Sequence, residues 1–489
     1  MFSDIIKSIA RNSGIMVFKH VITMTSSIVI AMMLPRYLGP MNYGRLFFVT
    51  SLTGIFGVFI IYGGNLLISK DVARNKEETA QILVNALAFR LLLALISMVT
   101  VLGIVYFGDY NSTIKNIALI FSIGFIFGVG VQVFEAGYQG HELLKYTAYA
   151  AIAERVIIAF AIVIAVWFRL PVVAIAIFIM IGVIVHLGVL IGFSKNIFHL
   201  LPKVKWDNLV LQIREGLPYF LYAAFGAIYY KIDAVMLSKM VPENVVGWYG
   251  ASYRLFEALN FPYILSITVY PILSRLWMTE EILHRRTVQK SLEYVIIAGV
   301  PVSVGIIVLA KPVISLFYGM EKFTPSVLLL QILAAGLIFL YINMVIGTTL
   351  LAADQQRKMS FLSLSAIPLN VVMNFIMIPY FQTTMHNGAI GAAVATGGVE
   401  IFIMVVMIRL LPNGIFSGFR TVVLYKTLSA GSIMLMSFLI LDIWKAPFVV
   451  QIIVAALIYI GSIFAMRTFE SEEEKLFLQY LRRIIPIWN

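Results

Sequence analysis

Fourteen apolar stretches, at about 15–34, 45–69, 82–107, 116–138, 147–168, 171–193, 217–239, 246–272, 291–316, 325–351, 359–380, 388–411, 421–441 and 447–466, leave this chain few ways to fold. A hydrocarbon core of roughly 30 Å takes about 20 helical residues, and a helix satisfies its own backbone groups where water cannot reach. The loops between the stretches are short and leave no room for a soluble domain. With 61% of its 489 residues hydrophobic and 12% charged, against roughly 45–50% and 25% in soluble proteins, the chain reads as an all-α polytopic membrane protein of about 14 transmembrane helices. The first stretch is full length and is followed by LPRYLG with no small-residue cleavage site, so it is expected to stay as a span.

Orientation follows from lysine and arginine, which concentrate in cytoplasmic loops. With the N-terminus inside, twenty-three of the thirty-six fall on the cytoplasmic side, eight on the other, and five, Lys19, Arg90, Arg155, Lys231 and Arg254, lie within spans. The net charge of +12 is then a topological signal and not a nucleic-acid footprint. Residues 1–12 place Ile5, Ile6 and Ile9 opposite Lys7 and Arg11, the pattern of a helix lying on the cytoplasmic surface. Residues 468–489 read as a second surface helix, opened by a capping box from Ser471 to Glu474 and dispensable for the core chemistry. Both termini are expected in the cytoplasm. No cysteine is present, which excludes disulfides, thiol catalysis and cysteine metal sites.

Internal repetition organises the middle of the chain. MLPRYLGPMNYG (33–44), after the first span, is echoed by MLSKMVPENVVG (236–247) after the seventh, and GHELLKY (140–146) by ADQQRKM (353–359). Six spans separate equivalent places, so both units start in the cytoplasm and the repeat is parallel. The expected architecture is two six-helix lobes, 13–200 and 201–412, around a central cavity, with two C-terminal helices in 413–467.

LPRYLGPMNYGRLFF after the first span, KDVARNKEETAQILVNALAFRLLLAL leading into the third, YYKIDAVMLS in the seventh and VGWYGASYRLFEALNFPYILSITVYPILS in the eighth together resemble the Wzx-like polysaccharide flippases of the MOP superfamily. The similarity runs over most of the chain in order. It implies two lobes formed by the first twelve helices and movement of a polyprenyl-pyrophosphate-linked oligosaccharide from the cytoplasmic to the outer leaflet of the cell membrane. Glycosyltransferases or a glycan polymerase would be further partners.

The charged residues inside the spans point the same way on physical grounds. An intramembrane charge costs roughly 2.5–3.5 kcal/mol on insertion scales and persists where it meets a partner or a wet cavity. Counting 1.5 Å per residue, Lys19 lies near the cytoplasmic end, Arg90 and Arg155 roughly 12 Å in, Lys231 roughly 20 Å in, and Arg254 roughly 12 Å from the outer face. Such a path suits an anionic head group, because arginine forks and lysine ammoniums can replace the water that a pyrophosphate loses. Against this, Lys19 can simply snorkel, Arg90 and Arg155 can pair with Glu154, and Arg254 can pair with Glu257 three residues on. Lys231 and Asp233, about 200° apart around their helix, cannot share a face.

No GxxxxGK[ST] loop is present, so an ion gradient, Na+ or H+, is the expected energy source, with Glu154, Asp233 and Glu257 as coupling candidates. Because histidine's ordinary range lies near neutrality, His20 and His186 are further candidates, as is Glu400 in the twelfth span; each of these can equally be a satisfied structural residue. No cofactor is expected. HELLK at His141 lacks the second histidine of a zinc protease motif, the GxxxG at Gly124 reads as helix packing, and Asn111-Ser112-Thr113 is a sequon on the outer side. Pro262, Pro301 and Pro368 are expected to kink their helices.

Three other functions compete. A multidrug (MATE) cation exporter should carry acidic residues where the first span has Lys19 and His20. A lipid II flippase shares a basic cavity and two extra C-terminal spans. A membrane enzyme acting on lipid-linked sugars needs a large outer loop, and the outer loops here are short.

Overall fold

The computed structural model describes residues 2–194, 204, 206–260, 262–412, 414–470 and 473–474, with side chains described from residue 18 onward apart from Leu66 and most of 206–222. The side chains of the expected surface helix 1–12, Ser471 and residues 475–489 lie outside these. Among the described residues the chain is helical, running α1 (Phe2–Ile61), α2 (Asn65–Arg74), α3 (Thr79–Phe107), α4 (Ser112–Gly140), α5 (Leu144–Trp167), α6 (Val172–Ser194), α7 (Trp206–Met240), α8 (Glu243–Ala258), α9 (Tyr263–Thr279), α10 (Glu281–Tyr318), α11 (Met320–Phe323), α12 (Pro325–Ala352), α13 (Gln356–Met385), α14 (Ala389–Leu410), α15 (Thr421–Ile443) and α16 (Phe448–Ala465).

Eleven of these helices are long and apolar enough to cross a membrane, or twelve when α8 and α9, bent by 44°, count as one span. The first two stretches both fall in α1, which is two helices joined across a kink at Gly39, where φ is 66° and ψ 172° between Pro35 and Pro40. The break between α8 and α9 falls at Pro262, as the sequence leads one to expect, whereas α10 and α13 run on as helix through Pro301 and Pro368.

The chain divides into two compact units: Met1–Ala251 with Phe317–Phe323 and Ser363–Ala392, and Ser252–Leu316 with Thr324–Leu362 and Ala393–Asn489. In the first, α7 runs along α1, and a core centred on Val72, Leu83, Ala94, Val133 and Tyr138 ties α2, α3, α4 and α6 together. In the second, α15 and α16 pack on α10 through Val300, Met434, Phe438 and Tyr459, whose hydroxyl donates to the Ile297 carbonyl at 2.7 Å. The last two spans are thereby part of that unit's core. The start of the tail is held there too. Lys290 on α10 bridges Glu293, Glu470 and Glu473 at 3.0, 2.7 and 3.1 Å, and the Glu473 carboxylate accepts from the Glu470 N–H at 2.9 Å, one residue earlier than the expected cap.

The two sequence echoes have structural counterparts. Glu142 and Asp354 both take left-handed φ (61° and 57°) just past a helix end, in turns with matching backbone bonds: Leu143 N–H to Tyr138 O at 2.8 Å, and Gln355 N–H to Leu350 O at 3.0 Å. This is the Schellman cap, which lies one residue away from the sequence match and also closes the helices before Arg169, Lys445 and Arg467. The other echo ends in Gly44 and Gly247, which meet within the first unit. A Cβ on Gly44 would lie 2.1 Å from the Glu243 carbonyl oxygen, and one on Gly247 would lie 1.9 Å from the Pro40 carbonyl oxygen. Pro40 matches Glu243 in the echo just as Gly44 matches Gly247, so the contact is reciprocal, as at a local two-fold axis. Gly247→Ala should therefore cost about 1–3 kcal/mol through overpacking, seen as a lower melting temperature in detergent, while Gly57→Ala, with open space around it, should be neutral or stabilising.

At the α4–α5 turn, His141 Nε2 and the Thr79 hydroxyl lie 2.8 Å apart. Burial, and secondarily the nearby Lys76, hold this histidine below its ordinary value of 6.5. The folded chain then binds the proton less readily than the unfolded chain, so stability should fall as pH drops through about 6.5. Between pH 8 and 5 the melting temperature of wild type should fall more steeply than that of His141→Gln.

Candidate functional site

The helix that carries Lys231 and Asp233 separates them as the 200° spacing requires. Asp233 is turned into the protein at 2% exposure, and Lys231 is only partly buried. Asp233 accepts from the Tyr249 hydroxyl of α8 at 3.0 Å and from the Asn374 amide of α13 at 2.7 Å. The same Asn374 amide also lies 2.6 Å from the Asn370 side-chain oxygen. A carboxylate, a phenol and two amides from three helices thus form one buried knot inside the first unit. Asp233 is an interhelical partner; Asn370, Asn374 and Tyr249 escaped notice in the sequence because neutral polar residues barely interrupt an apolar stretch.

Arg90 is buried at 3% exposure and donates to the Asn65 side chain at 2.8 Å and to the Gly64 carbonyl at 3.1 Å. It thereby holds the Tyr62–Asn65 turn between α1 and α2, where Gly63 and Gly64 adopt φ of 80° and 87°. A cavity of about 30 Å³, lined by Tyr62, Asp71, Phe89 and Arg90 among others, adjoins it. Both acceptors are neutral, and no carboxylate among the described residues ion-pairs with Arg90, so its charge remains uncompensated.

Arg155 does not pair with Glu154. That carboxylate instead lies 2.6 Å from His186 Nδ1 on α6, and Glu135 of α4 approaches His186 Nε2 at 3.4 Å. Arg155 is partly buried, and among the described residues it forms no hydrogen bond or ion pair. Glu135 was not singled out in the sequence: only the three-dimensional packing of α4 on α6 brings it to His186. Lys19 is partly buried near the start of the described side chains. Arg254 is largely exposed and meets Glu257 at 3.4 Å, the intrahelical pair that its spacing allows. Glu400 accepts from the Asn343 amide at 2.7 Å, a satisfied buried residue.

A second cavity, of about 330 Å³, lies in the first unit beside the Gly44–Gly247 contact, lined by Arg45, Tyr110, Asn111, Ser238, Lys239 and Glu243 among others. Arg45 pairs with Glu243 at 2.7 Å, and Lys239 Nζ sits 3.9 Å from the centre of the Tyr110 ring. Burial raises the Tyr110 phenol above its ordinary range, partly offset by its bond to Ser238. Asn111 is occupied twice: its side-chain oxygen caps α4 by accepting from the Ile114 N–H at 2.9 Å, and its amide donates to Glu243. The sequon's asparagine is a structural cap.

A family model described as polysaccharide biosynthesis protein matches residues 9–277. A curated relative, the probable low-salt glycan biosynthesis flippase Agl15 of Haloferax volcanii, is 25% identical over 182 residues, which is 36% of this chain and only 37% of that protein. The fold is similar to that of the lipid II flippase MurJ in its inward closed conformation (TM-score 0.74, 16% identity, covering 93% of this chain and 98% of that one). It is also similar to an inward-facing multidrug resistance MATE family transporter of the MOP superfamily (TM-score 0.66, 15% identity, 79% and 94%). Arg90→Lys, which keeps the charge but loses the two-pronged grip on the turn, should lower stability by about 1–3 kcal/mol, measured as a melting shift in detergent.

Proposed function

Because the chain belongs to the polysaccharide biosynthesis protein family, we propose that it is a flippase that carries polyprenyl-pyrophosphate-linked glycan repeat units from the cytoplasmic to the outer leaflet of the cell membrane by alternating access. It is a multi-pass membrane protein; cytoplasmic termini and lobes at 13–200 and 201–412 belong to the proposal. The observation that carries it is Arg155, a cation inside an apolar span with no protein partner among the described residues. Beside it stands Arg90, whose partners are neutral. A protein that needed these charges only for packing would neutralise them, whereas one that passes a pyrophosphate needs them uncompensated until cargo arrives. Lys19, Lys231 and Arg254 add further cations to the proposed path, Arg254 already paired with Glu257.

The chain catalyses no covalent step in this proposal. Its work is driven by Na+ or H+, with Glu154, Asp233 and Glu257 as coupling groups, and Asp233 is held by donors that an entering ion would displace. Similarity to MurJ over 98% of that protein favours lipid II as the second substrate reading. Glycosyltransferases and a glycan polymerase would supply and consume the cargo.

Expression in strains lacking either an O-antigen-type flippase or the peptidoglycan precursor flippase tests the proposal; rescue of the first is expected, and rescue of the second alone would replace the glycan repeat unit by lipid II. Lys231→Ala and Arg155→Ala should lower glycan export by about tenfold or more, the loss of roughly 1.4 kcal/mol of head-group binding, with membrane levels unchanged. Export at the wild-type rate in both variants would remove the cationic path.

A further inference from the structure

We propose that His186, Glu135 and Glu154 form a proton-binding site of the first unit, loaded from the Glu135 side. The inference rests on the flippase reading only for what the proton drives.

Three helices contribute one group each: Glu135 from α4, Glu154 from α5 and His186 from α6. The imidazole is buried at 5% exposure, while the Glu154 and Glu135 side chains are 18% and 29% exposed. The imidazole is thus the least accessible of the three groups and Glu135 the most. The two ring nitrogens are unequally served. Nδ1 lies 2.6 Å from Glu154, a short charge-assisted distance. Nε2 lies 3.4 Å from Glu135 without a hydrogen bond and finds no other partner. A histidine kept only for structure would be expected to satisfy both nitrogens. Here the second nitrogen faces a carboxylate across a gap that one proton would close.

The local sequence makes room for this. One turn before His186 on the same face of α6 stands Gly182, where a Cβ would lie 2.5 Å from Ile158 and 3.4 Å from the Glu154 side chain. Glu154 can approach the ring because position 182 has no side chain. Among the described residues Glu135 and Glu154 are the charged groups paired with His186, and α1, which also packs on α4, α5 and α6, adds none within ion-pair reach. Arg155 is the next charge along α5. The three groups do not converge as metal ligands, since among the described residues no set of histidine and carboxylates could hold an ion.

The step balances as a proton transfer alone. With both carboxylates ionised and the imidazole neutral, Nδ1–H donates to Glu154, Nε2 carries a lone pair and the triad holds two negative charges in an apolar surround, a costly state. A proton from water adds to Glu135 and passes to Nε2, which becomes N–H, and the ring turns cationic while Glu135 returns to carboxylate. The triad's net charge rises by one, and no other bond forms or breaks. Discharge runs the same path in reverse and restores the charge that disfavours occupancy.

Full-length protein carrying 15N-histidine in lipid nanodiscs tests the site without transport. The imidazole signals are followed from pH 5 to 9, and the His186 signal is identified by its loss in His186→Gln. One protonation step of His186 is expected in this range, moved to lower pH by a unit or more in Glu154→Gln and moved also in Glu135→Gln. A ring that keeps one protonation state throughout, or a step unmoved by Glu154→Gln, overturns the proposal. A second measurement reads coupling: a polyprenyl pyrophosphate added to weakly buffered protein should release protons from wild type and none from His186→Gln, and equal release from both would refute the link to cargo. Failure of the wild type to rescue glycan export, with the His186 step intact, would sink the flippase reading and leave the proton site standing.

Discussion

A polar group sunk among apolar helices must find its partners in the protein, because lipid supplies none and an unmet partner costs several kcal/mol. Much of the described structure can be understood from that constraint. Asp233 is met by a phenol and an amide, Glu400 by an amide, Glu154 by an imidazole and Arg90 by two carbonyls. Among the charged and titratable groups, Arg155 forms no bond among the described residues, Arg90 meets only neutral acceptors, and His186 Nε2 stands with a carboxylate just out of reach. An unbalanced charge in such an interior is costly and marks a place that something else can complete.

The same constraint explains how much was legible beforehand. Span positions, the all-helical class and the intrahelical pair of Arg254 with Glu257 follow from hydropathy and from 3.6-residue geometry, which are local. The matching turns at Glu142 and Asp354 were legible as an echo, but their register was off by one, because a left-handed cap is defined by backbone bonds and here uses no glycine. The partners of Glu154 and Asp233 were not legible. His186, Tyr249 and Asn374 stand on other helices and reach them only through helix packing, which a linear pattern does not encode. The break at Gly39 was legible, because it falls in the interval that the sequence left between the stretches 15–34 and 45–69 and is flanked by Pro35 and Pro40.

The tail illustrates how a surface reading can miss a structural role. A run of glutamates after the last span looks like a solvated terminus. Glu470 and Glu473 instead reach Lys290 at the head of α10, and Tyr294 donates to Glu473 at 2.6 Å. Burial acts against ionisation of Glu473, yet the bonds from Tyr294 and Lys290 outweigh it and hold the carboxyl below its ordinary range. Together with the contact of Tyr459 and Ile297, this makes the last two helices and the segment behind them continuous with the second unit.

The meeting of Gly44 and Gly247 carries an evolutionary consequence. Copies of a duplicated gene are ordinarily at liberty to diverge, since each folds on its own terms. Where a residue of one copy abuts the counterpart of its neighbour in the other, that liberty ends: a bulkier side chain arising in either half collides with the backbone of its twin. Substitutions at the two positions are therefore constrained jointly, each by the backbone that the other segment presents.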